Sequence, residues 1–327
     1  MALRIGILSA AHVHTPSYAH CINNSPRAEL AGVWDDDVVR GERFAADFKT
    51  SFFGHLEDLF ERCEAVVIAS ENIKHVELAT KAAEQRKHIL CEKPLATTTT
   101  DAKQMVDAAV AGGVVLMTAL PCPFSPAFVK VLARIQSRDL GQIIAATTTN
   151  QGTCPFGWFV DEPVSGGGAL IDHTVHVADL LHRLIGRNAV EVYAATGNNM
   201  HATSVENVAM LSLDYGDGVF ASLDASWSKP AGYKTWGNVT LKLVCEKGLI
   251  EIDLFRQGVD VFQSQSPNHG IHGYMSNLDA MMFDEFVEAV EQGRAPLVTG
   301  EHGLAAVQIV DAAYASVRSG QPEAVAS

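Results

Sequence analysis

No two of the six cysteines stand in a C-x-x-C spacing, and no apolar run approaches the length of a membrane span. Thiols scattered at positions 21, 63, 91, 122, 154 and 245 argue against a disulfide framework or a structural zinc site. They fit free thiols in a reducing cytoplasm. The apolar stretch Ile5–Ala11 is too short to cross a bilayer, and its context does not suit a signal peptide. Positive charge is scarce as well. With 24 Lys and Arg against 38 Asp and Glu, the formal net charge is −14. That argues against a nucleic-acid partner, which calls for a basic face, and nothing calls for a membrane. Repeats and low-complexity tracts are missing apart from four threonines at 97–100. What remains is a chain of 327 residues, 47% hydrophobic and 19% charged, long enough for two soluble domains with real cores.

In the first third, short β-branched runs alternate with helical stretches. Strands are expected at Arg4–Leu8, Ala28–Trp34, Thr50–Phe53, Ala65–Ala69, His88–Cys91 and Val114–Thr118. Helices are expected at Pro16–Asn23, Val38–Phe48, Ile73–Gln85 and Thr99–Ala111. This repetition predicts a parallel sheet with helices on both faces, whose ligands bind at the carboxyl ends of the strands. The loops of interest are therefore Ser9–His14, Asp35–Asp37, Ser70–Asn72 and Glu92–Pro94. Proline punctuation at Leu120-Pro121-Cys122-Pro123 predicts a boundary, with one domain over 1–121 and another over 122–327. Beyond it, runs at Ile143–Gln151, Val190–Thr196, Val208–Asp214, Val219–Ala225, Val239–Val244, Leu249–Leu254 and Val259–Phe262 read as strands. Short glycine-containing turns join several of them, as in an antiparallel sheet. Helices at Met281–Glu291 and Gly303–Arg318 follow, and the tail after Gly320 is expected to fray.

The most informative segment is Gly166-Gly167-Gly168-Ala169-Leu170-Ile171-Asp172-His173-Thr174-Val175-His176. Its glycines free the backbone where a long apolar helix begins. Asp172, His176, Asp179 and Arg183 are spaced 4, 3 and 4 apart and share one face of that helix. Ionisable groups in a buried helix need a reason. A carboxylate one turn before an imidazole can fix its tautomer and raise its basicity for proton transfer. The bland alternative is a capping Asp172 and a satisfied core His176. A second motif, Glu92-Lys93-Pro94, follows a strand. Proline restricts the residue before it, so Lys93 is presented at the sheet's carboxyl edge, where it can bind a substrate hydroxyl or stand solvated in a turn.

Together these motifs resemble the Gfo/Idh/MocA family of nicotinamide-dependent oxidoreductases. Ile68-Ala69-Ser70-Glu71-Asn72 with His75 matches a family segment A-T-P-N-x-x-H, and Phe124-Ser125-Pro126 resembles its R-F-x-P. Trp158 before Gly166 resembles its W-R pattern, and Gly300-Glu301-His302-Gly303 its E-D-G helix start. The resemblance spans nearly the whole chain. It implies an N-terminal Rossmann dinucleotide-binding domain and a C-terminal α/β domain with a large open, mainly antiparallel sheet, through which homodimers or homotetramers form. It implies Lys93, Asp172 and His176 as catalytic residues: His176 the general base, Asp172 its orienting or relaying partner, Lys93 the ligand of the reacting oxygen. Cofactor contacts are implied at Ser70, Glu71, Asn72, His75, Glu92, Lys93 and Trp158, and a sugar or cyclic polyol as substrate.

One element departs from the family. Its phosphate loop is G-x-G-x-x-G, whereas Ser9-Ala10-Ala11-His12-Val13-His14 has no glycine. Three readings stay open: a modified pyrophosphate cradle, a substrate or metal site with His12 and His14 as ligands, or lost cofactor binding in a scaffold or sensor. No complete set of metal ligands is visible, so no metal is expected. Asp35 ends the second strand 21 positions after His14, where a carboxylate accepts adenosine ribose hydroxyls. No arginine stands directly behind it to neutralise a 2′-phosphate, so NAD is the expected cofactor. The alternative for Asp35 is a helix cap or a solvated loop charge. Glu71 in place of the family's proline and Phe159 in place of its arginine predict altered contacts. The expected activity is an NAD-dependent dehydrogenase or reductase. Its rivals are a glycoside hydrolase or lyase using bound NAD transiently and a non-catalytic sugar-binding protein. Substrate contacts are expected from loops around Asn150–Pro163, Ser228–Trp236 and His269–Tyr274.

Overall fold

Aliphatic runs in the first third are buried on both faces, which is the signature of parallel strands covered by helices. The structure, a computed structural model, describes residues 2–326 except 234, 236, 256–257, 263–268 and 274–275, with backbone alone over 258–262 and 269–273. The chain forms two units. One comprises Met1–Pro121, Asp161–Gly166 and Asp279–Gln308, and the other Cys122–Val160, Gly167–Leu278 and Ile309–Ser327. The chain thus leaves the first unit at Pro121 and returns to it twice.

In the first unit the elements run β1 (Leu3–Leu8), α1 (Thr15–Asn24), β2 (Ala28–Trp34), α2 (Val38–Phe48), β3 (Phe52–Phe53), α3 (Leu56–Phe60), β4 (Ala65–Ile68), α4 (His75–Glu84), β5 (His88–Cys91), α5 (Thr99–Gly112) and β6 (Leu116–Thr118). The sheet order is β3-β2-β1-β4-β5-β6, and its pairs are parallel. This is the Rossmann order, whose reversal between β1 and β4 leaves a crevice at the carboxyl ends of those strands. The loops Ser9–His14 and Ser70–Asn72 flank that crevice. Ile5, Ile7, Leu8, Val66, Val67, Ile68, Ile89 and Leu90 are sealed from solvent, which explains the near-continuous apolar strands. Helix α3 was not expected. Five residues burying Leu56, Leu59 and Phe60 are too few to display a helical period. The expected helix Ile73–Gln85 divides into a 3-10 turn, Asn72–Lys74, and α4.

The second unit contains α6 (Pro126–Gln136) and β7 (Ile143–Gly152); α7 (Glu162–Ser165) belongs to the first. There follow α8 (Ala169–Ile185), β8 (Glu191–Gly197), β9 (Val208–Asp214), β10 (Phe220–Ser226), β11 (Gly237–Cys245), β12 (Gly248–Asp253), β13 (Gly258–Phe262) and β14 (His269–Gly273). Helices α9 (Leu278–Gln292) and α10 (Gly300–Ser319) and strand β15 (Glu323–Ala324) close the chain. Seven strands pair in the order β12-β11-β7-β10-β9-β8-β15, antiparallel throughout except for β7 with β10. That parallel pair arises because β7 and β10 are not consecutive. The chain between them crosses over through α8 before β8 and β9 return. Two expectations are corrected here. The tail does not simply fray, because Glu323 and Ala324 pair with Val192 and Glu191. The presumed loop at 269–274 includes a strand, His269–Gly273 paired with Gly258–Phe262, while Tyr274 lies outside the described residues, as does Trp236 of the loop Ser228–Trp236.

Helix α8 packs on β7, β9 and β10 and is buried at all positions except His182, Arg183 and Ile185. Its first turn is held by a carboxylate distant in sequence. Glu206 Oε1 accepts the Gly168 and Leu170 amides at 2.9 and 3.1 Å and the Tyr314 hydroxyl at 2.8 Å. The glycines are demanded by this crowding. A Cβ on Gly167 would stand 1.8 Å from Tyr314 Oη, and one on Gly168 2.1 Å from the Glu206 carbonyl oxygen. Because that oxygen belongs to backbone, it cannot swing aside as a side chain would. Gly168→Ala is therefore expected to destabilise the protein by about 1–3 kcal/mol, read as a lowered midpoint in urea denaturation. An unchanged midpoint would show that the approach is not tight.

Candidate active site and cofactor loops

The Ser9–His14 loop folds without glycine by using Ser9 in the left-handed region, at φ 71. This is the conformation a first glycine would supply. The loop then ties down its own amides. Ala10 N donates to Asp35 Oδ2 at 2.7 Å, Ala11 N to Ser9 Oγ at 3.2 Å, His12 N to the Ala69 carbonyl at 3.0 Å and His14 N to His12 Nδ1 at 3.2 Å. Val13 is 57% exposed. His14 is the N-cap residue of α1.

Beneath the loop lies Glu92, at the end of β5 and sealed from solvent. Its Oε1 accepts from Tyr18 Oη at 2.6 Å and from His14 Nδ1 at 3.0 Å, and its Oε2 accepts the Lys93 amide at 3.0 Å. His12 Nδ1 stands 3.4 Å from the same Oε1. Sequence showed two imidazoles without a third donor; the fold brings Glu92 to them, with the three donor atoms within 4.8 Å of one another. Hydrogen bonds account for the contacts of His14 and Tyr18 with Glu92. Burial, against the opposing pull of Glu92, pushes His12 down to about 3, so it stays neutral, its Nδ1 accepting the His14 amide. Burial would also lower His14, but the charge and hydrogen bond of Glu92 outweigh it and raise this imidazole above its ordinary value. Burial alone would raise the Glu92 carboxyl, yet His12, His14 and Lys93 hold it well below the usual carboxylate range.

Asp35 meets the loop at the second strand's end. Besides Ala10 N it accepts the Asp37 amide at 2.8 Å, and Arg40 grips it with Nε to Oδ2 at 2.9 Å and Nη2 to Oδ1 at 2.7 Å. An arginine is thus supplied five residues on rather than directly behind, because the first turn of α2 folds Arg40 back. Arg40 also approaches Asp36 and Glu71, and Lys74 bridges Glu71 at 2.9 Å and Asp36. The helix cap is Asp37, whose carboxylate accepts the Arg40 amide, and not Asp35. Ser70 and Asn72 are buried, Asn72 Nδ2 donating to the Ser165 carbonyl at 2.8 Å. His75 sets its ring between the Pro94 and Ser70 carbonyls at 3.0 and 3.3 Å and so braces the Glu-Lys-Pro turn. Lys93 is buried there.

In the second unit Asp172 and His176 are both buried. Asp172 Oδ2 accepts Trp227 Nε1 at 2.9 Å and stands 3.3 Å from His173 Nε2. His173 Nδ1 in turn donates to the Asn150 carbonyl at 2.9 Å. Asp179 and Arg183 pair with each other at 3.0 Å. Trp158 stacks on Phe159 with ring centroids 3.9 Å apart. Sequence reading missed Tyr18, Arg40, Glu206 and Trp227, whose roles depend on contacts between distant segments. Only Arg40, one turn into a helix that follows an acidic strand end, left a local signal.

Residues 3–120 match the model described as an oxidoreductase family with an NAD-binding Rossmann fold, and residues 128–251 match the Gfo/Idh/MocA C-terminal domain. A 1,5-anhydro-D-fructose reductase of Ensifer adhaerens is 31% identical over 251 residues, 74% of this chain and 73% of the relative. This chain belongs to the Gfo/Idh/MocA oxidoreductase family. The myo-inositol 2-dehydrogenase of Thermotoga maritima is 24% identical over 264 residues, 78% of this chain and 77% of that one. Among solved structures, GenD2 from gentamicin A biosynthesis, in complex with NAD, matches with a TM-score of 0.90 at 25% identity, covering 100% of this chain and 97% of that chain. The protein is accordingly an NAD-dependent oxidoreductase. Its loop fits a dinucleotide in outline, through the turn at Ser9, the carboxylate at Asp35 and the N-terminus of α1. It departs in committing four loop amides within the protein.

The buried cluster makes stability depend on pH. Between its ordinary 6.5 and about 3, His12 carries more protons unfolded than folded, so its contribution is lost as pH falls through that window. Glu92, also lowered, works in the same direction below the usual carboxylate range. The raised His14 works oppositely: its contribution is complete below 6.5 and fades as pH rises through its folded value. Urea denaturation from neutral to about pH 4 should show stability falling with acidification, by at most about 1.4 kcal/mol per pH unit per group. His12→Gln should flatten the upper part of the fall. A slope unchanged in that variant would mean that His12 is not the group responsible.

Proposed function

We propose that this enzyme transfers hydride between NAD and a hydroxyl-bearing carbon of a sugar or cyclic polyol. Support comes from Lys93 at the carboxyl edge of a Rossmann sheet, joined in one chain with a buried helix bearing Asp172 and His176. It comes also from relatives named as anhydrofructose reductase and myo-inositol dehydrogenase. The cofactor, when bound, accepts or returns the hydride. His176 takes the hydroxyl proton in oxidation and returns it in reduction. Lys93 donates to the reacting oxygen and stabilises its developing negative charge. Asp172 orients the proton-transfer group, with its own carboxylate fixed by the Trp227 indole. A panel of inositols, anhydrosugars and aldoses, assayed for NADH formation and consumption, tests the reading. NAD that stays bound with no net reduction on any of them would point to transient redox chemistry instead. With a turned-over substrate in hand, His176→Ala should lower kcat by ~10²–10⁴-fold while leaving NAD affinity nearly unchanged. A near-normal kcat would make His176 structural.

Asp35 receives the adenosine ribose hydroxyls, which displace Arg40 from one carboxylate edge. A 2′-phosphate there would meet Asp35, Asp36 and Glu71 against only Arg40 and Lys74. NAD should therefore bind more tightly than NADP, by about 1 kcal/mol or more from like charges at close range. Arg40→Ala should weaken NADP further while sparing NAD. Isothermal titration with both cofactors decides; equal affinities would remove Asp35 from the ribose.

The enzyme acts as a homodimer or homotetramer in the cytoplasm. The sheet face opposite α8 supports the first statement, since it exposes Tyr193, Met210, Phe220 and Val244. The six free thiols support the second. Light scattering on a column eluate should give an oligomer that a Met210→Glu, Phe220→Glu double variant splits into monomers. A monomeric wild type would end that reading.

A further inference from the structure

Glycine-rich loops bind pyrophosphate with main-chain amides, and here Ala10, Ala11, His12 and His14 direct theirs to protein acceptors. The loop instead raises a side chain at the N-terminus of α1. We propose that His14 is the pyrophosphate-binding group of this enzyme: Glu92 holds its Nδ1 proton, its Nε2 donates to a phosphate oxygen, and dinucleotide binding draws one proton from solvent onto the ring. The proposal rests on the NAD reading above.

The valences lead there. The Glu92 carboxylate only accepts, so the 3.0 Å contact places a proton on His14 Nδ1. A neutral ring then presents a lone pair at Nε2, which repels a phosphate oxygen, whereas the imidazolium presents N–H and a full positive charge. The His14 side chain is 40% exposed while that of Glu92 is 0% exposed. The open edge of the ring is therefore the one turned away from the acid. His14 is also the N-cap of a ten-residue helix, whose dipole favours an anion.

The charged surroundings set the poise. Glu92 and Asp279, the latter at the start of α9, favour the protonated ring, while burial and Lys93 oppose it, and the outcome lies above the ordinary histidine value. His12, edge-on at 4.7 Å between ring centroids, stays neutral. Tyr18, the other donor to Glu92 Oε1, keeps its proton because burial and Glu92 both raise it. His14 is thus the group of this cluster whose surroundings favour the imidazolium form. Phosphate binding adds two negative charges beside it and pulls its equilibrium further toward the imidazolium.

Isothermal titration of NAD into the whole protein, at pH values from about 6 to 8 and in two buffers of different ionisation enthalpy, reads the effect directly. Affinity should weaken by up to roughly tenfold per pH unit above the free ring's pKa, with net proton uptake on binding. His14→Gln keeps an uncharged N–H donor, so it should still bind NAD but with no uptake and a flat pH profile. His12→Gln should retain the uptake. If the variant folds poorly, ¹⁵N signals of the His14 ring in wild type should move to the imidazolium position when NAD is added near pH 8. Uptake that persists in His14→Gln, or wild-type binding without uptake, overturns the proposal. So does a stoichiometric transition metal lost on His14→Gln, since the ring would then be its ligand. Failure of wild type to bind NAD at any pH would instead overturn the NAD reading itself.

Discussion

A carboxylate shut away from water must be met by donors, and Glu92 meets that demand by gathering the end of β5, the β1–α1 loop and the first helix onto one point. Tyr18 supplies a hydroxyl, His14 an imidazole N–H and Lys93 its own amide. Breaking such a buried network leaves a charge without partners, which is far more costly than the loss of an exposed ion pair. The cofactor loop, the lysine and the helix dipole are therefore organised by one acid. His75 adds a brace from below by bonding the Pro94 carbonyl, so the turn carrying Lys93 is held at both ends.

The second unit repeats the device with different residues. Glu206 caps the N-terminus of α8 and is itself fixed by Tyr314. Trp227 then holds the Asp172 carboxylate. In each unit an element that carries a candidate site residue is anchored at its end by a carboxylate, Glu92 at the β1–α1 loop and Glu206 at α8. Such support leaves these side chains few conformations to explore.

Much of this was legible before the structure. The parallel sheet follows from strand–helix alternation, and the limits of β2, α2, β5 and β9 coincide with those expected because the burial pattern of each leaves little latitude. Less was legible where an element is short or its partner remote. α3 buries three side chains in five residues, β15 pairs two residues of a tail, and β7 lies parallel to β10 only because α8 intervenes. Glu206 gave no sign of its role, since a cap contributed from 38 residues away has no spacing to read. Arg40 on Asp35 was missed because a side chain's direction off the first helical turn is decided by packing.

Residue order alone determined that this chain carries a parallel strand–helix unit, a mainly antiparallel sheet and a buried helix with an acid and an imidazole on one stripe. Those outcomes depend on local periodicity and turn chemistry, which neighbours in sequence set between them. The tertiary structure decided what each polar group does. It turned a loop without glycine into a closed set of amide hydrogen bonds around Ser9, and it pushed His12 below and His14 above the ordinary histidine value although the two stand only two positions apart. The physical reason is that protonation depends on burial, which prevails at His12, and on the nearest opposite charge, which prevails at His14 and comes from Glu92, 78 positions further along the chain.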